Sequence, residues 1–202
     1  IPDGLGWNAV NQDGWKLGPL VKFRFAREQD TGGSPFLISG KSDALLGLGN
    51  VGAAGEAGGF AQVHIWDRKL RARAELRYGF GGYDGAIADT LLSYSGRYKF
   101  IGYSFGVRAT FAGPGFTNAY FGVDPVQSAN SGLPVYKAGG GVVSYGLNAG
   151  AVVPVSRHSA LSFFTGYDWL GGAVVNSSLV QQRGQQGQFA IGMGYGYRFG
   201  WD

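Results

Sequence analysis

The sequence of 202 residues contains no cysteine. Without thiols the chain can form neither a disulfide scaffold nor a thiolate zinc site, and it has no Cys nucleophile. Charged side chains are also scarce, at 15% of residues against about 25% in an ordinary soluble domain. No stretch approaches the roughly 18 uninterrupted apolar residues of a membrane-spanning helix. These absences exclude a disulfide-rich domain, a Cys-dependent enzyme and a helical membrane protein.

The excess of positive charge is small, and it is not concentrated in one run. The net charge is +4, and no run of three or more consecutive Lys and Arg occurs, so nucleic acid is not predicted as a partner. The two histidines, His64 and His158, do not supply the ligand set of a structural metal site. No catalytic set of side chains is recognisable, so we predict no enzyme activity, no metal and no cofactor.

The chain is rich in glycine and in aromatic residues, and its dominant pattern is an alternation with the period of a β-strand. The clearest alternating segments are 70–80, 101–111, 143–153 and 189–199. They exceed the usual strand of about 5–6 residues and match the roughly 9–11 that a tilted strand needs to cross a bilayer. Weaker strands are predicted at 5–10, 16–26, 42–50, 54–66, 86–97, 117–123 and 158–170.

Alternation alone leaves open whether the apolar face points into a soluble barrel or out of a membrane barrel. The polar faces after residue 100 are mostly Gly, Ser, Ala and Asn, whereas a soluble exterior is about 25–35% charged. The aromatic rings are too many for the interior of a small barrel and cluster at strand ends, as in interfacial girdles. We therefore predict one domain over residues 1–202, an antiparallel transmembrane β-barrel with Phe105, Leu147 and Ile191 facing lipid.

The number of strands follows from the loops. Eleven strands are predicted in the sequence, and closure favours an even number, so we expect a barrel of about twelve with at least one N-terminal strand outside this sequence. The long connections 124–139 and 171–186 are expected at one end, and the connection 27–41 joins them there provided that 42–50 is a strand. The turns 112–116 and 154–157 are expected at the other end.

Charged residues alternate with apolar ones on the segment before residue 80. Because an arginine at the bilayer midplane costs about 2–4 kcal/mol, this row is predicted to face the lumen. One interpretation is that the row steers anionic solutes through a pore. The interpretation that we favour is pairing with carboxylates of neighbouring strands, such as Glu56 or Asp89. The predicted lumen charge row consists of Lys69, Arg71, Arg73, Glu75, Arg77, Arg108 and Arg198.

The connection 124–139 contains two prolines and three residues that are unusually apolar for a free outer loop: Leu133, Val135 and Tyr136. These side chains either fold into the mouth of the barrel or contact a partner. We favour the first interpretation. His64 shares the polar face of its strand with Gln62 and is expected to join a hydrogen-bond network there.

Several short stretches of the sequence are specific enough to suggest a family. The most specific is Tyr120-Phe121-Gly122-Val123, followed by Ser131-Gly132-Leu133-Pro134-Val135-Tyr136. Others are Leu17-Gly18-Pro19, Glu56-Ala57-Gly58-Gly59-Phe60-Ala61 and Gly81-Gly82-Tyr83-Asp84-Gly85. In these stretches the chain resembles the MipA/OmpV family of MltA-interacting outer-membrane proteins, over about residues 4 to 199. The family often has His where Tyr83 stands.

The resemblance implies a scaffold protein in the cell envelope of a Gram-negative bacterium. Such a protein lies in outer-membrane lipid and links a lytic transglycosylase to a murein synthase during peptidoglycan processing. The contacts with these partners are expected from the turns 81–85, 112–116 and 154–158. Two other functions stay open: a narrow channel for small anionic solutes, and an accessory subunit of a larger membrane assembly.

Overall fold

A computed structural model describes residues 4–29 and 43–199 of the chain. It contains ten strands: β1 Gly4–Gly6, β2 Val10–Gln12, β3 Trp15–Arg24, β4 Ala54–Ile65, β5 Leu70–Gly81, β6 Gly85–Tyr98, β7 Ile101–Ala112, β8 Gly141–Pro154, β9 Ser159–Leu170 and β10 Gly187–Tyr197. The helices are α1 Pro114–Phe121, α2 Pro125–Ser131 and α3 Ser178–Arg183, with a 3₁₀ turn at Asp43–Leu45. The predicted all-β, antiparallel fold is confirmed. No helix among the described residues is long and apolar enough to cross a membrane.

The strands form a single antiparallel sheet in which each strand from β3 onward pairs with the next along the chain. The short strands β1 and β2 both pair with β3, so they act as one strand interrupted at residues 7–9. In the described part of the chain, β10 pairs only with β9. The structure thus gives ten strands rather than eleven or twelve, and the closed barrel stays a prediction.

Two of the predicted strands are wrong. Within 42–50, the described residues 43–50 form the 3₁₀ turn and a following bend, where Gly47 and Gly49 have φ of 86° and 71°. The segment 117–123 lies largely in α1, which begins with Pro114 in its first turn, a position that proline favours. Phe116 and Tyr120 stack one helical turn apart, at 4.7 Å between ring centroids. Packing of these rings outweighs the β propensity of the segment.

Because these two predicted strands are not present, the connections are distributed differently between the two ends of the sheet. The described connections 25–29, 43–53, 82–84, 113–140 and 171–186 share one end of the sheet, the loop end. Most of the predicted connection 27–41 lies outside the described residues. The connections 13–14, 66–69, 99–100 and 155–158 share the opposite end, the turn end. The turns 81–85 and 112–116 therefore lie at the loop end beside 124–139, contrary to the prediction, and only 154–158 lies at the turn end.

The two faces of the sheet differ as the alternation predicted. Phe105, Leu147 and Ile191 are 57%, 52% and 75% exposed, so the apolar face is the exposed one. The opposite, polar face carries the charged side chains of β3 to β7.

Buried residues concentrate at the loop end, under a cap formed by 43–51, 113–140 and 171–186. One cluster joins the sheet to α1 through Ile87, Phe116 and Tyr83. A second cluster lies within the cap and contains Leu48, Val123, Leu133 and Leu179. The hydrophobic core therefore covers one end of the sheet rather than one of its faces.

Candidate functional site

Arg77 is the centre of the polar face. It lies on β5 and is 2% exposed, in register with Gly58 on β4 and Ile87 on β6. Its Nε donates to Glu56 at 2.8 Å, and its two terminal nitrogens donate to Glu75 and Asp89. Each nitrogen of a buried guanidinium thus has a carboxylate partner, which offsets the cost of burying the charge.

Glu56 is the second buried charged residue on the polar face, and it is also 2% exposed. It accepts hydrogen bonds from Arg24 at 2.7 Å, Arg77 at 2.8 Å and the phenol of Tyr83 at 2.8 Å. Tyr83 reaches it by folding over Gly79, where any Cβ would collide with the ring. Burial, reinforced by the hydrogen bond to Glu56, raises the pKa of Tyr83 above its ordinary value, so the phenol is a neutral donor.

Further ion pairs extend this arrangement across four strands. Glu75 pairs with Lys22 at 2.9 Å and with Arg73 at 2.8 Å, and Asp89 accepts from Thr110 at 2.6 Å. We call this set the charge network; its members are Lys22, Arg24, Glu56, Arg73, Glu75, Arg77 and Asp89. Four cations face three carboxylates, so the charge of the network is nearly compensated.

Arg108 and Asp168 form a separate pair between β7 and β9, with Nε to Oδ1 at 2.8 Å. They reach each other across Gly146 of β8, where a Cβ would collide with Asp168. Between this pair and the charge network is a polar cavity of about 440 Å³. The buried Oδ1 of Asn148, on the cavity wall, has no hydrogen-bond partner in the described structure. The cavity can hold water or a small polar solute.

The structure divides the predicted lumen charge row. Arg73, Glu75 and Arg77 come together in the charge network, where Arg77 pairs with Glu56 and Asp89 of the neighbouring strands. The position of the row in a lumen stays a prediction. Lys69 lies in the turn before β5, and Arg198 follows β10, where its backbone N–H donates to the His158 carbonyl at 2.7 Å. These cations and Arg71 have no carboxylate partner among the described residues.

His64 shares the polar face with Gln62, as predicted, and lies opposite Arg71 in the register. Gln62 accepts a hydrogen bond from Arg73 at 3.3 Å. Among the described residues, the His64 ring makes no side-chain hydrogen bond. The predicted hydrogen-bond network at His64 is therefore not found in this part of the chain. In the same part of the chain, no group of three or more His, Asp and Glu is placed to hold a metal ion.

The three apolar loop residues have different environments. Leu133 is 1% exposed and packs in the core of the cap, whereas its position in the mouth of a barrel stays a prediction. Tyr136 packs against the same cluster, and its backbone exchanges two hydrogen bonds of 2.8 Å with Val123. Val135 is 58% exposed, so it does not fold inward. A contact with a partner stays a prediction for Val135.

Polar side chains fix the cap by bonding to its backbone. Gln127 donates to the Leu48 carbonyl at 2.7 Å, and Arg183 donates to the Leu46 carbonyl at 3.0 Å and to that of Ser131. Arg27 donates to the Tyr120 carbonyl, and its guanidinium lies 5.7 Å from the centroid of that ring. Burial lowers the pKa of Arg27. These contacts join the segments of the loop end around the second hydrophobic cluster.

The site contains residues that the sequence reasoning missed: Lys22, Arg24, Tyr83 and Asp168. Lys16, Lys22 and Arg24 are separated by even numbers of residues on one strand, so their side chains lie on the same face. The alternation could therefore have placed Lys22 and Arg24 on the polar face. Asp168, between Tyr167 and Trp169 on a predicted strand, could have been placed on the polar face in the same way. Tyr83 carried no comparable signal, because it lies in a turn outside the alternating segments.

Fold and site together define a class: an antiparallel β-sheet protein with an exposed apolar face, an ion-paired polar face and a cap over one end. Comparison with protein families gives a match over residues 1–199 to the model described as MltA-interacting protein MipA. The chain therefore belongs to the MipA family, which confirms the resemblance found in the sequence. Neither a curated protein nor a solved structure matches the chain.

Proposed function

We propose that this chain is an outer-membrane β-barrel scaffold that binds a lytic transglycosylase of the MltA kind. The name of the family is the source of the proposed partner. The observation that carries the membrane part is the direction of the apolar face: on β10 alone, Phe189, Ile191 and Met193 are 67–75% exposed. A row of such side chains in water would cost free energy, whereas lipid removes that cost.

The length and interior of the sheet support the same proposal. The strands from β3 to β10 have 10 to 14 residues, enough for a tilted crossing of a bilayer. Arg73 and Arg77 are ion-paired on the polar face, where they do not meet lipid. Under this proposal the sheet closes, and the turn end is periplasmic because periplasmic connections are the shorter ones.

The charge network is consistent with a scaffold role. Its ion pairs join β3, β4, β5 and β6 through side chains that are held by several partners each. Such a network favours one arrangement of the strands and hence a rigid support for a bound protein. A simultaneous contact with a murein synthase belongs to the same proposal.

Two measurements test the membrane and the scaffold parts separately. A folded barrel in detergent migrates faster on a gel than the same sample after boiling, so equal migration would contradict the barrel. For the scaffold, the purified protein is immobilised and exposed to solubilised envelope, with an unrelated outer-membrane barrel as control bait. Selective recovery of a lytic transglycosylase by mass spectrometry is expected. Recovery of no murein enzyme would remove the scaffold proposal.

A channel for small anionic solutes is the second candidate, and the polar cavity beside Arg108 favours it. Its weakness is the compensation of Arg73 and Arg77 by carboxylates. In single-channel recordings, a stable anion conductance that falls in the Arg71→Ala/Arg73→Ala variant would support the channel. Electrically silent bilayers would favour the scaffold.

A further inference from the structure

Positive charge is unevenly distributed between the two ends of the sheet. The turn end carries eight cations and two carboxylates, Asp13 and Asp67, whereas the other described residues contain eight of each sign. We call these cations the turn-end basic cluster; they are Lys16, Arg68, Lys69, Arg71, Arg97, Lys99, Arg157 and Arg198. The charge excess of the described chain therefore lies wholly at this end.

The register explains why these cations are not compensated. Lys16 faces Gln62, Arg71 faces Ser93 and His64, and Arg97 faces Gly102. These three cations thus have neutral neighbours or His64 on the adjoining strands, and the other five lie outside the strands. The one ion pair of the cluster in the described residues, Arg68 with Asp13 at 3.8 Å, is between exposed side chains and contributes little.

A concentration of like charges with a single weak ion pair disfavours the isolated fold and attracts an oppositely charged molecule. We propose that the turn-end basic cluster binds an acidic segment of a protein. This inference rests on the proposed function for the identity of that protein, a lytic transglycosylase. The inference also changes the expected docking surface. The turns 81–85 and 112–116 were expected to contact the partner, but they lie at the loop end, so the docking surface is placed at the turn end instead.

The placement of the cations favours a protein segment over an anionic membrane. Lys16 and Arg97 lie on the polar face of the sheet, and their chain neighbours Trp15 and Tyr98, 54% and 66% exposed, lie on the apolar face. A lipid surface that meets the apolar face contacts the rings and leaves these cations behind the sheet. A protruding acidic segment can reach the polar face from the turn end.

The cluster itself is tested with a synthetic decaglutamate peptide and the purified full chain in neutral detergent. The test variant is Lys69→Glu/Arg157→Glu, which reverses two exposed charges. The matched control, Lys137→Glu/Gln182→Glu/Gln185→Glu, changes the net charge equally at exposed positions of the loop end. We expect the peptide to bind the parent protein with an affinity that decreases as salt is added. The affinity should fall about tenfold or more in the test variant and stay unchanged in the control.

Absence of peptide binding, or equal losses in the test variant and the control, would overturn the inference. The same three proteins are then titrated with the purified lytic transglycosylase. If the enzyme binds all three proteins equally, the inference is overturned while the scaffold stands. The same holds if Lys69 and Arg157 affect only the adsorption of the protein to vesicles with anionic phospholipid. If the enzyme binds none of them, the proposed function fails, and the peptide result alone decides the inference.

Discussion

Arg71 and Arg77 lie six residues apart on the same strand and on the same face of the sheet, yet their environments are opposite. Arg77 is 2% exposed and bonded to three carboxylates, whereas Arg71 is partly exposed and has neutral or basic neighbours. The contrast extends to the two ends of the molecule: compensated charges and a packed cap at the loop end, unpaired cations at the turn end. Register with neighbouring strands, not residue type, decides which cation is structural.

The largest expected effect is that of Arg77→Ala. Removal of this guanidinium leaves Glu56 buried without its central partner, so we expect a loss of about 3–5 kcal/mol in the free energy of unfolding. The measurement is urea unfolding of the folded protein in detergent, followed by tryptophan fluorescence. Arg71→Ala is the matched control and should change stability by less than about 0.5 kcal/mol. Equal effects would remove the distinction between the two arginines.

Leu133→Ala tests the cap. Leu133 is 1% exposed, so we expect a cavity and a loss of about 2–4 kcal/mol in the stability of the cap. Hydrogen exchange of residues 113–140 should increase while that of β8 and β9 stays slow. Val135→Ala, at an exposed position two residues away, should leave exchange unchanged. Protection that survives in the Leu133 variant would contradict the packing described for the cap.

Tyr83→Phe removes one hydrogen bond to Glu56 and keeps the ring packed on Phe116, at 5.0 Å between centroids. A loss of about 1–2 kcal/mol is expected at neutral pH. Because the pKa of Tyr83 is raised in the folded state, its stabilisation is complete below the unfolded value of about 10 and declines as the pH rises above it. The difference between parent and variant should therefore shrink in alkaline solution. A difference that stays constant there would contradict the raised pKa.

The smallest effect concerns the turn end. Lys69→Ala/Arg157→Ala removes two unpaired, exposed cations, so stability should change by less than about 0.5 kcal/mol, with any gain confined to low salt. Urea unfolding at low and high salt gives the comparison. A clear loss of stability would mean that these cations have structural partners and would weaken the contrast between the ends.

Sequence reasoning predicted the strands with strong alternation, and each of those four is present. It failed at 42–50 and 117–123, where short apolar stretches fit a strand and a helix equally well. The site was predicted in part: Arg73, Glu75 and Arg77 were chosen, and Glu56 and Asp89 were expected as partners. Tyr83 could not be found, because its role depends on a fold over Gly79 that brings residues 56 and 83 together.

The amino-acid sequence by itself determined that the protein is a β-structure with one apolar and one polar face, because an alternation of period two is typical of such strands. The short connections between the strands favoured antiparallel pairing. The sequence also determined membership of the MipA family. Only the tertiary structure decided which arginines are compensated, which connections share an end, and that the core lies in a cap. These properties depend on the register between strands and on contacts between distant segments, which the local pattern of residues does not encode.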